Sequence, residues 1–218
     1  MKRKLYYNTV SVTLRTILQQ LMDERIFSPF RLVGGTSLSL QYGHRISHDI
    51  DLFTDSEYGS LNFHSIQDWL KNNYSYCFGD CGDIVGPGTS YIIGSSPNDS
   101  IKLDLFYTDP FIENYHFVDG IRFAAVQDVI AMKIEVINSR GRKKDFWDIH
   151  ELHDYFSFTE MFDLHEKRFP YSHNRKDLIA GIIKFTEADK DPDPICLLNK
   201  NWQIIKLDLL EWQVQELL

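Results

Sequence analysis

The feature that most constrains the fold is a short alternation of carboxylates and apolar residues, Asp-Ile-Asp-Leu-Phe, at positions 49–53. A period of two is typical of a half-buried β-strand, in which successive side chains point to opposite faces. Ile50 and Leu52 are therefore predicted to enter a core, while Asp49 and Asp51 share the other face about 6.6 Å apart. Two carboxylates on one strand face are suited to bind a hard divalent cation such as Mg²⁺.

A second strand supplies a third carboxylate in a similar context. In residues 101–106, apolar and polar side chains alternate, which leaves Asp104 on the face opposite Leu103 and Leu105. If this strand pairs beside residues 50–53, Asp104 joins the two other carboxylates. It would then act as a further metal ligand or take the proton from an attacking hydroxyl. The alternative is that all three carboxylates are only solvated surface groups.

A glycine pair lies upstream of these carboxylates. Gly34 and Gly35 follow a predicted strand, and Thr36 is predicted to cap a short helix that ends near residue 41. Glycines let a backbone approach a ligand closely, and a helix N-terminus offers N–H groups and a positive dipole end to a triphosphate. Thr36 or Ser37 would add a hydroxyl contact. A tight turn without a ligand is the alternative.

The pattern of the chain changes near residue 125. Residues 1–124 mix helical periods with strand-like segments, and residues 125–218 are predicted to be almost entirely helical. Because the strands come first and the helices later, without βαβ alternation, this order predicts an α+β protein. We expect residues 1–124 to form an α/β core, and residues 125–218 to form a helical lobe that completes the active-site cleft.

A lysine interrupts the apolar face of the first helix in this second part. On a helical wheel, Lys133 lies among Val129, Ile130, Ile134 and Ile137. Because an unpaired buried charge is costly, its ammonium group needs an anionic partner, unless the side chain extends to the surface. A bound triphosphate is the functional interpretation, and an Asp or Glu of the protein is the structural one.

A basic strip follows in a chain whose formal net charge is −8. This acidic balance excludes a protein that binds nucleic acid with its whole surface. It leaves room for a local strip suited to phosphate or an RNA backbone, formed by Arg140, Arg142, Lys143 and Lys144. The alternative is a solvated basic loop.

Two aspartates begin the helix after this strip. Asp148 lies on the flank of the apolar face and is predicted to point into a cleft. Asp145 is suited to cap or neutralise the helix N-terminus. Trp147 is predicted to face away from the packed side.

Composition narrows the class of protein further. Of the 218 residues, 43% are hydrophobic and 25% charged, which is typical of a globular chain rather than a disordered one. No apolar run reaches the length of about 18 residues that a membrane span needs, and no apolar signal-peptide region follows the basic start. Three cysteines, an odd and sparse set, favour reduced thiols and a cytoplasmic location.

Four sequence blocks, taken in order, resemble the abortive-infection nucleotidyltransferase family of AbiEii-like bacterial toxins, which is related to the MenT toxins. The blocks are GGTSLSL, HRISHDIDLF, AMKI and RKKDFWDI, and the late loop FTEADKDPDP before a tryptophan also matches. The resemblance implies a DNA polymerase β-like nucleotidyltransferase core with a mostly helical C-terminal lobe. It also implies transfer of a nucleoside monophosphate from an NTP, with Mg²⁺ or alternatively Mn²⁺, to an acceptor. In related toxins the acceptor is the 3′ end of tRNA, and a separately encoded antitoxin is the usual partner.

The resemblance also implies roles for individual residues. The first motif and its trailing arginine would bind the nucleotide, with Lys133 from the third block; these residues are Gly34, Gly35, Thr36, Ser37, Arg45 and Lys133. Asp49 and Asp51 would bind the metal, and Asp148, or less favourably Asp145, is the aspartate of the fourth block. Two alternatives stay open: a nucleotidyltransferase acting on a protein or small-molecule hydroxyl, and a catalytically silent nucleotide-binding module.

Overall fold

The computed structural model describes residues 4–82 and 86–216, which form two compact units. The first, here called the sheet unit, comprises the chain up to Tyr42 together with residues 47–110 and 114–124. The second, the helical unit, comprises the chain from Ala125 onward and two short earlier segments, Gly43–Ile46 and Phe111–Glu113. Two pieces of the N-terminal half therefore pack with the C-terminal helices.

A seven-stranded sheet is the centre of the sheet unit. Its strands in chain order are β1 (Arg31–Leu32), β2 (Asp49–Thr54), β3 (Tyr76–Phe78), β4 (Gly88–Ser96), β5 (Asp99–Tyr107), β6 (His116–Val118) and β7 (Ile121–Phe123). Across the sheet the order is β3-β4-β5-β2-β1-β7-β6. β2 is parallel to β5 and antiparallel to β1, and β4 and β5 form an antiparallel pair. The two strands that carry the predicted carboxylates are thus central neighbours.

The two faces of this sheet differ in burial. Along β2, Ile50 and Leu52 are fully buried, whereas Asp49 and Asp51 are half-buried on the other face. The described residues of this unit form three α-helices: α1 (Val12–Asp23), α2 (Gly34–Tyr42) and α3 (Phe63–Asn73). The core of the unit is formed by the apolar sides of these helices and the buried face of the strands.

Five α-helices form most of the helical unit: α4 (Val126–Arg140), α5 (Lys143–Leu152), α6 (Phe158–Arg168), α7 (Arg175–Gly181) and α8 (Trp202–Glu216). The predicted α+β order is confirmed. The prediction that Trp147 faces away from the packed side is wrong, because its ring is 1% exposed and stacks on Trp202 of α8. Helix α5 packs on more than one side, so a single apolar stripe does not describe it. None of the described helices has the length and apolar character needed to cross a membrane.

Candidate active site

The half-buried face of the sheet carries the three predicted carboxylates side by side. In the register of the parallel strands β2 and β5, Asp51 lies opposite Asp104 and Asp49 lies opposite Lys102. Neighbouring strands are about 4.8 Å apart, and opposite residues present their side chains on the same face. Asp49, Asp51 and Asp104 therefore occupy adjacent positions on one surface of the sheet unit.

Asp104 has two close donors on that surface. Ser90 Oγ, on β4, lies 2.5 Å from Asp104 Oδ1, and Lys102 Nζ lies 2.5 Å from Oδ2. Neither Ser90 nor Lys102 was predicted from the sequence. Lys102 stands two residues before Asp104 and so shares its face, which was a usable signal; Ser90 belongs to another strand and left none.

The chemistry of these side chains is compatible with a divalent cation. Carboxylate oxygens are hard ligands, and Mg²⁺ is usually held by one or two carboxylates while substrate phosphates and water complete its octahedron. Within residues 4–82 and 86–216, no three His, Cys, Asp or Glu side chains form a ready-made metal site. Metal binding by Asp49, Asp51 and Asp104 stays a prediction.

Gly34 lies directly against one of these carboxylates. Helix α2 begins at Gly34, whose φ is +67°, and a Cβ atom there would lie 2.2 Å from Asp51 Oδ2. Both the left-handed backbone and the missing space require glycine at this position. Next to it, the Val33 N–H donates to the Asp51 carbonyl at 2.9 Å. The positive end of the α2 dipole therefore adjoins the Asp51 carboxylate.

The prediction that Thr36 caps α2 is wrong, because the helix begins at Gly34. Thr36 is fully buried; its hydroxyl donates to the Asp49 carbonyl oxygen and lies 2.9 Å from Ser47 Oγ. The buried Ser37 hydroxyl accepts from the Gln41 side chain at 3.1 Å. Both hydroxyls are thus bonded inside the protein, and Thr36 fastens α2 to the start of β2.

A buried charge network occupies the helical unit. Asp148 accepts hydrogen bonds from Arg45 Nε at 2.7 Å and Arg45 Nη2 at 2.8 Å. Lys133 Nζ lies 2.7 Å from Asp148 Oδ2 and donates to Asp145 Oδ1 at 2.7 Å. His44 Nε2 lies 2.7 Å from Asp148 Oδ1. The two cations Arg45 and Lys133 thus face the two aspartates Asp145 and Asp148 in this network.

The network favours the charged forms of Asp148 and Lys133. Burial alone raises the pKa of Asp148, but the charges of Arg45 and Lys133 and the hydrogen bond from His44 outweigh it and hold that pKa well below its usual range. Burial likewise lowers the pKa of Lys133, while Asp145 and Asp148 raise it above its usual value. The protein thus supplies the anionic partner that Lys133 requires, as in the structural interpretation. Contact with a triphosphate stays a prediction.

The two aspartates of this helix differ in position. The Asp148 side chain is 0% exposed and bonded on both oxygens, so it is not open to solvent as a residue facing an open cleft would be. Asp145 accepts from the Arg142 N–H at 3.0 Å, as predicted for a residue near the start of the helix, and it also binds Lys133. Both aspartates therefore belong to the network.

His44 is a member of the network that the sequence analysis did not propose. Its segment is held beside residues 195–197, where Ile46 N donates to the Ile195 carbonyl and Leu197 N donates to the His44 carbonyl, each at 2.9 Å. Arg45 pairs with Cys196 in an isolated antiparallel bridge. The only sequence signal for His44 was its position next to Arg45, since its partner Asp148 is 104 residues away.

Burial divides the predicted basic strip. Lys143 is 6% exposed and bonds to Asp193 at 2.8 Å, so its ammonium already has an anionic partner. The Arg142 side chain is exposed and lies 3.5 Å from Asp191. Arg140 is exposed and Lys144 is half-buried. The accessible positive charge of this strip therefore rests mainly on the two arginines.

Comparison with known sequences places this geometry in context. Residues 16–216 match the family described as nucleotidyl transferase AbiEii toxin, type IV TA system. An uncharacterised protein of Aquifex aeolicus (strain VF5) is 31% identical over 140 residues, which is 62% of this chain and 63% of that protein. The chain thus matches less than two thirds of the length of that relative. The resemblance to AbiEii-like proteins inferred from four short blocks is confirmed over most of the chain.

Two solved structures share the fold. JHP933 from Helicobacter pylori has a TM-score of 0.58 at 18% identity and covers 93% of this chain and 88% of its own. MenT4, described as a nucleotidyltransferase toxin from Mycobacterium tuberculosis H37Rv, has a TM-score of 0.56 at 11% identity, with coverage of 92% and 82%. At these identities the likeness concerns the fold alone. The predicted DNA polymerase β-like fold is confirmed.

Proposed function

Because the chain belongs to the AbiEii nucleotidyltransferase toxin family, we propose that it transfers a nucleoside monophosphate from an NTP to an acceptor hydroxyl, with Mg²⁺ as cofactor. The type IV toxin–antitoxin description of the family adds a separately encoded antitoxin as partner. One observation carries the proposal: the N-terminal glycine of α2 touches Asp51, and Asp51 lies in register with Asp104. This arrangement supports a site in which the start of α2 would face phosphate beside two carboxylates that would bind the metal.

The residues of the sheet unit divide the work. Asp49, Asp51 and Asp104 would hold the cation, which when bound neutralises triphosphate charge and polarises the α-phosphate. Gly34 and Gly35 let the backbone approach the phosphates, and the first N–H groups of α2, which lack partners within the helix, donate to phosphate oxygens. In the proposed site the triphosphate is therefore bound in two ways, by the metal ion and by the N–H groups of α2.

The reaction forms one bond and breaks one. The acceptor hydroxyl oxygen bonds to the α-phosphorus, and the bond from that phosphorus to the oxygen bridging to the β-phosphate breaks, so that pyrophosphate leaves. The hydroxyl proton passes to a carboxylate oxygen or to water. Asp104 either receives it or completes the metal ligands, the two roles that the sequence left open.

We assign the buried network a positioning role. Arg45 and Lys133 are already bound by aspartates, which supports orientation of the segment leading into β2 over direct phosphate binding. Asp148 and Asp145 fix those two cations. This assignment modifies the nucleotide-binding roles that the family resemblance implied for Arg45 and Lys133.

We propose RNA, and specifically the 3′ end of tRNA, as the acceptor. The resemblance to toxins that modify tRNA favours it, and the exposed Arg140 and Arg142 offer charge to an RNA backbone. The formal net charge of −8 favours the competing proposal, a protein or small-molecule hydroxyl. The acceptor is therefore the first point to test.

The test is to incubate the purified protein with Mg²⁺, each α-labelled NTP in turn, and total cellular RNA. We expect a labelled tRNA band that Asp51→Asn reduces by at least about 10³-fold, because several kcal/mol of charge stabilisation are lost. Asp68→Asn, an exposed carboxylate on α3, is the matched control and should retain activity. Full activity of Asp51→Asn would contradict the metal assignment.

The same assay separates the alternatives. Label on a protein or small molecule, with none on RNA, would keep the nucleotidyltransferase and replace the acceptor. NTP binding without label on any acceptor would favour the catalytically silent module. Replacing Mg²⁺ by Mn²⁺ in parallel reactions identifies the preferred ion.

A further inference from the structure

The face that carries the carboxylates continues past them to the edge of the sheet. The strand registers align one row of opposite residues across four strands, β3, β4, β5 and β2, namely Phe78, Ile92, Lys102 and Asp49. The next row along the same face contains Ser90, Asp104 and Asp51. The proposed metal ligands and the edge strand β3 thus share one continuous surface within the sheet unit.

This surface exposes large apolar side chains next to a cation. Phe78 is 66% exposed and Ile92 is 38% exposed, and the Lys102 side chain is 50% exposed. Tyr76 stands two residues before Phe78 on β3 and so presents its ring on the same face. Because exposed apolar side chains on an edge strand promote unwanted association, proteins usually cover or avoid them. Their presence beside the candidate active site indicates a binding surface.

The chemistry of the row favours one class of occupant. Proteins that bind single-stranded nucleic acid combine aromatic rings, on which bases stack, with cations that follow the backbone, and RNA-binding sheets place such rings on an open face. Phe78 and Lys102 reproduce this combination. Lys102 is paired with Asp104 at 2.5 Å. Its side chain is nevertheless 50% exposed, unlike those of the buried Arg45 and Lys133, so its ammonium group is accessible to a further anion. The cation is complementary to a phosphate, whereas an apolar peptide would gain nothing from it.

The spacing also suits a strand that ends at the carboxylates. Phe78 is three strands away from Asp49 in its row, which is about 14 Å at the usual strand separation. That span falls within the footprint of a protein that binds about 4–16 nucleotides. An upstream base on Phe78 and an acceptor end at the carboxylates are compatible with one short single strand.

We infer that this sheet face binds an unpaired segment of the acceptor RNA, with Phe78 stacking on a base and Lys102 contacting the backbone. The inference rests on the proposed nucleotidyl transfer for its orientation, since the 3′ end would point toward Asp51. It adds a binding surface on the sheet unit to the basic strip of the helical unit.

The test measures binding without transfer. A fluorescein-labelled single-stranded RNA of about 12 nucleotides is titrated with the full-length protein in the absence of NTP, and anisotropy gives Kd. We expect Phe78→Ala to raise Kd about tenfold, whereas Phe78→Trp, which keeps an aromatic ring, should bind as tightly as the unaltered protein. Lys102→Gln should weaken binding and flatten its salt dependence, because one phosphate contact is lost.

A matched control is available on the opposite edge of the same sheet. Phe117 on β6 is 58% exposed, and Phe117→Ala should leave Kd within twofold of the unaltered protein. Equal Kd values for Phe78→Ala, Phe117→Ala and the unaltered protein would overturn the inference. Unaltered protein that fails to bind the RNA, while transferring label to a protein acceptor, would overturn it as well.

The design distinguishes failure of this inference from failure of the proposed function. If Phe78→Ala loses RNA binding while no acceptor is ever labelled, the binding face stands and the transferase proposal fails. If RNA is labelled and Phe78→Ala has an unchanged KM for RNA, the transferase proposal stands and the binding face fails. When both hold, Phe78→Ala raises the KM for RNA about tenfold.

Discussion

The aspartates of the sheet face and those of the helical unit belong to two motifs of one sequence but are in opposite environments. Asp49 and Asp51 are half-buried on a strand face beside a helix N-terminus. Asp148 is fully buried and bonded to Arg45, Lys133 and His44. Carboxylates that remain partly hydrated can take up a cation at small cost, whereas a buried ion network resists exchange because each charge depends on the others.

This difference suggests a division of labour that motif matching alone does not reveal. The network anchors residues 43–46, and the chain then enters β2 with Thr36 bonded to the Asp49 carbonyl. Within the sheet unit, this bond from Thr36 ties helix α2 to the start of the strand on which Asp49 and Asp51 stand. The buried aspartates would then support the reaction through geometry, and the half-buried ones through contact with the substrate.

The largest expected effect is the loss of stability when the buried network is altered. Asp148→Asn leaves Arg45 and Lys133 without their shared carboxylate charge, so we expect the free energy of unfolding to fall by about 3–5 kcal/mol. Asp49→Asn, on the half-buried face, should change it by less than about 1 kcal/mol. Urea denaturation of both variants measures the difference, and equal losses would show that the two environments do not differ in stability.

A smaller effect concerns the contact between α2 and the carboxylate face. Gly34→Ala places a residue with a side chain in the left-handed backbone region and directs its Cβ atom toward Asp51 Oδ2. We therefore expect the free energy of unfolding to fall by about 1–3 kcal/mol and transfer activity to be lost. Gly59 is the matched control, because its φ is +81° but nothing lies within 4 Å of a Cβ atom there. Gly59→Ala should show the backbone strain alone, about 1–2 kcal/mol, with activity retained.

Retained activity in Gly34→Ala would show that transfer does not need the close approach of Asp51 to the start of α2. The observation on which the proposed function depends would then carry no weight. Loss of activity in Gly59→Ala as well would mean that strain in this unit, rather than the Asp51 contact, abolishes transfer. The pair therefore tests the site without altering any carboxylate.

Local patterns in the sequence were sufficient for the elements but not for their partners. The alternation around Asp51 predicts a strand because strand periodicity is local, and the same holds for the strand of Asp104. That these strands are parallel neighbours, with the two aspartates opposite each other, depends on pairing between distant segments. From the sequence, the pairing of these two strands was only a condition for bringing the aspartates together. The strand register shows that the condition is met.

The helical unit shows the same limit. The apolar wheel around Lys133 predicts that its charge needs an anion, which is a local argument. Which anion it finds depends on packing: Asp145 is 12 residues away along the chain, and Arg45 reaches Asp148 across 103. Trp147 was misplaced for the same reason, since Trp202 of α8 covers the side of α5 that a single helical wheel leaves exposed.

The smallest expected effect is a pH dependence of stability that distinguishes Asp148 from His150. Because the folded pKa of Asp148 is well below the unfolded value of about 3.9, its stabilisation is complete above roughly pH 5 and is lost only as the pH falls below that. His150 behaves differently: burial and Lys200 lower its pKa, against the opposing effect of Asp208. The unfolded chain therefore binds this proton first, and stability declines as the pH falls below about 6.5.

Denaturation midpoints measured from pH 8 to pH 5.5 should thus decline slightly in the unaltered protein, and less in His150→Gln. The carboxylate of Asp148 should not contribute in this range. A decline of the same size in His150→Gln would assign it to other groups. A steep loss above pH 5 that disappears in Asp148→Asn would mean that Asp148 titrates near neutrality, contrary to a carboxylate held charged by two buried cations.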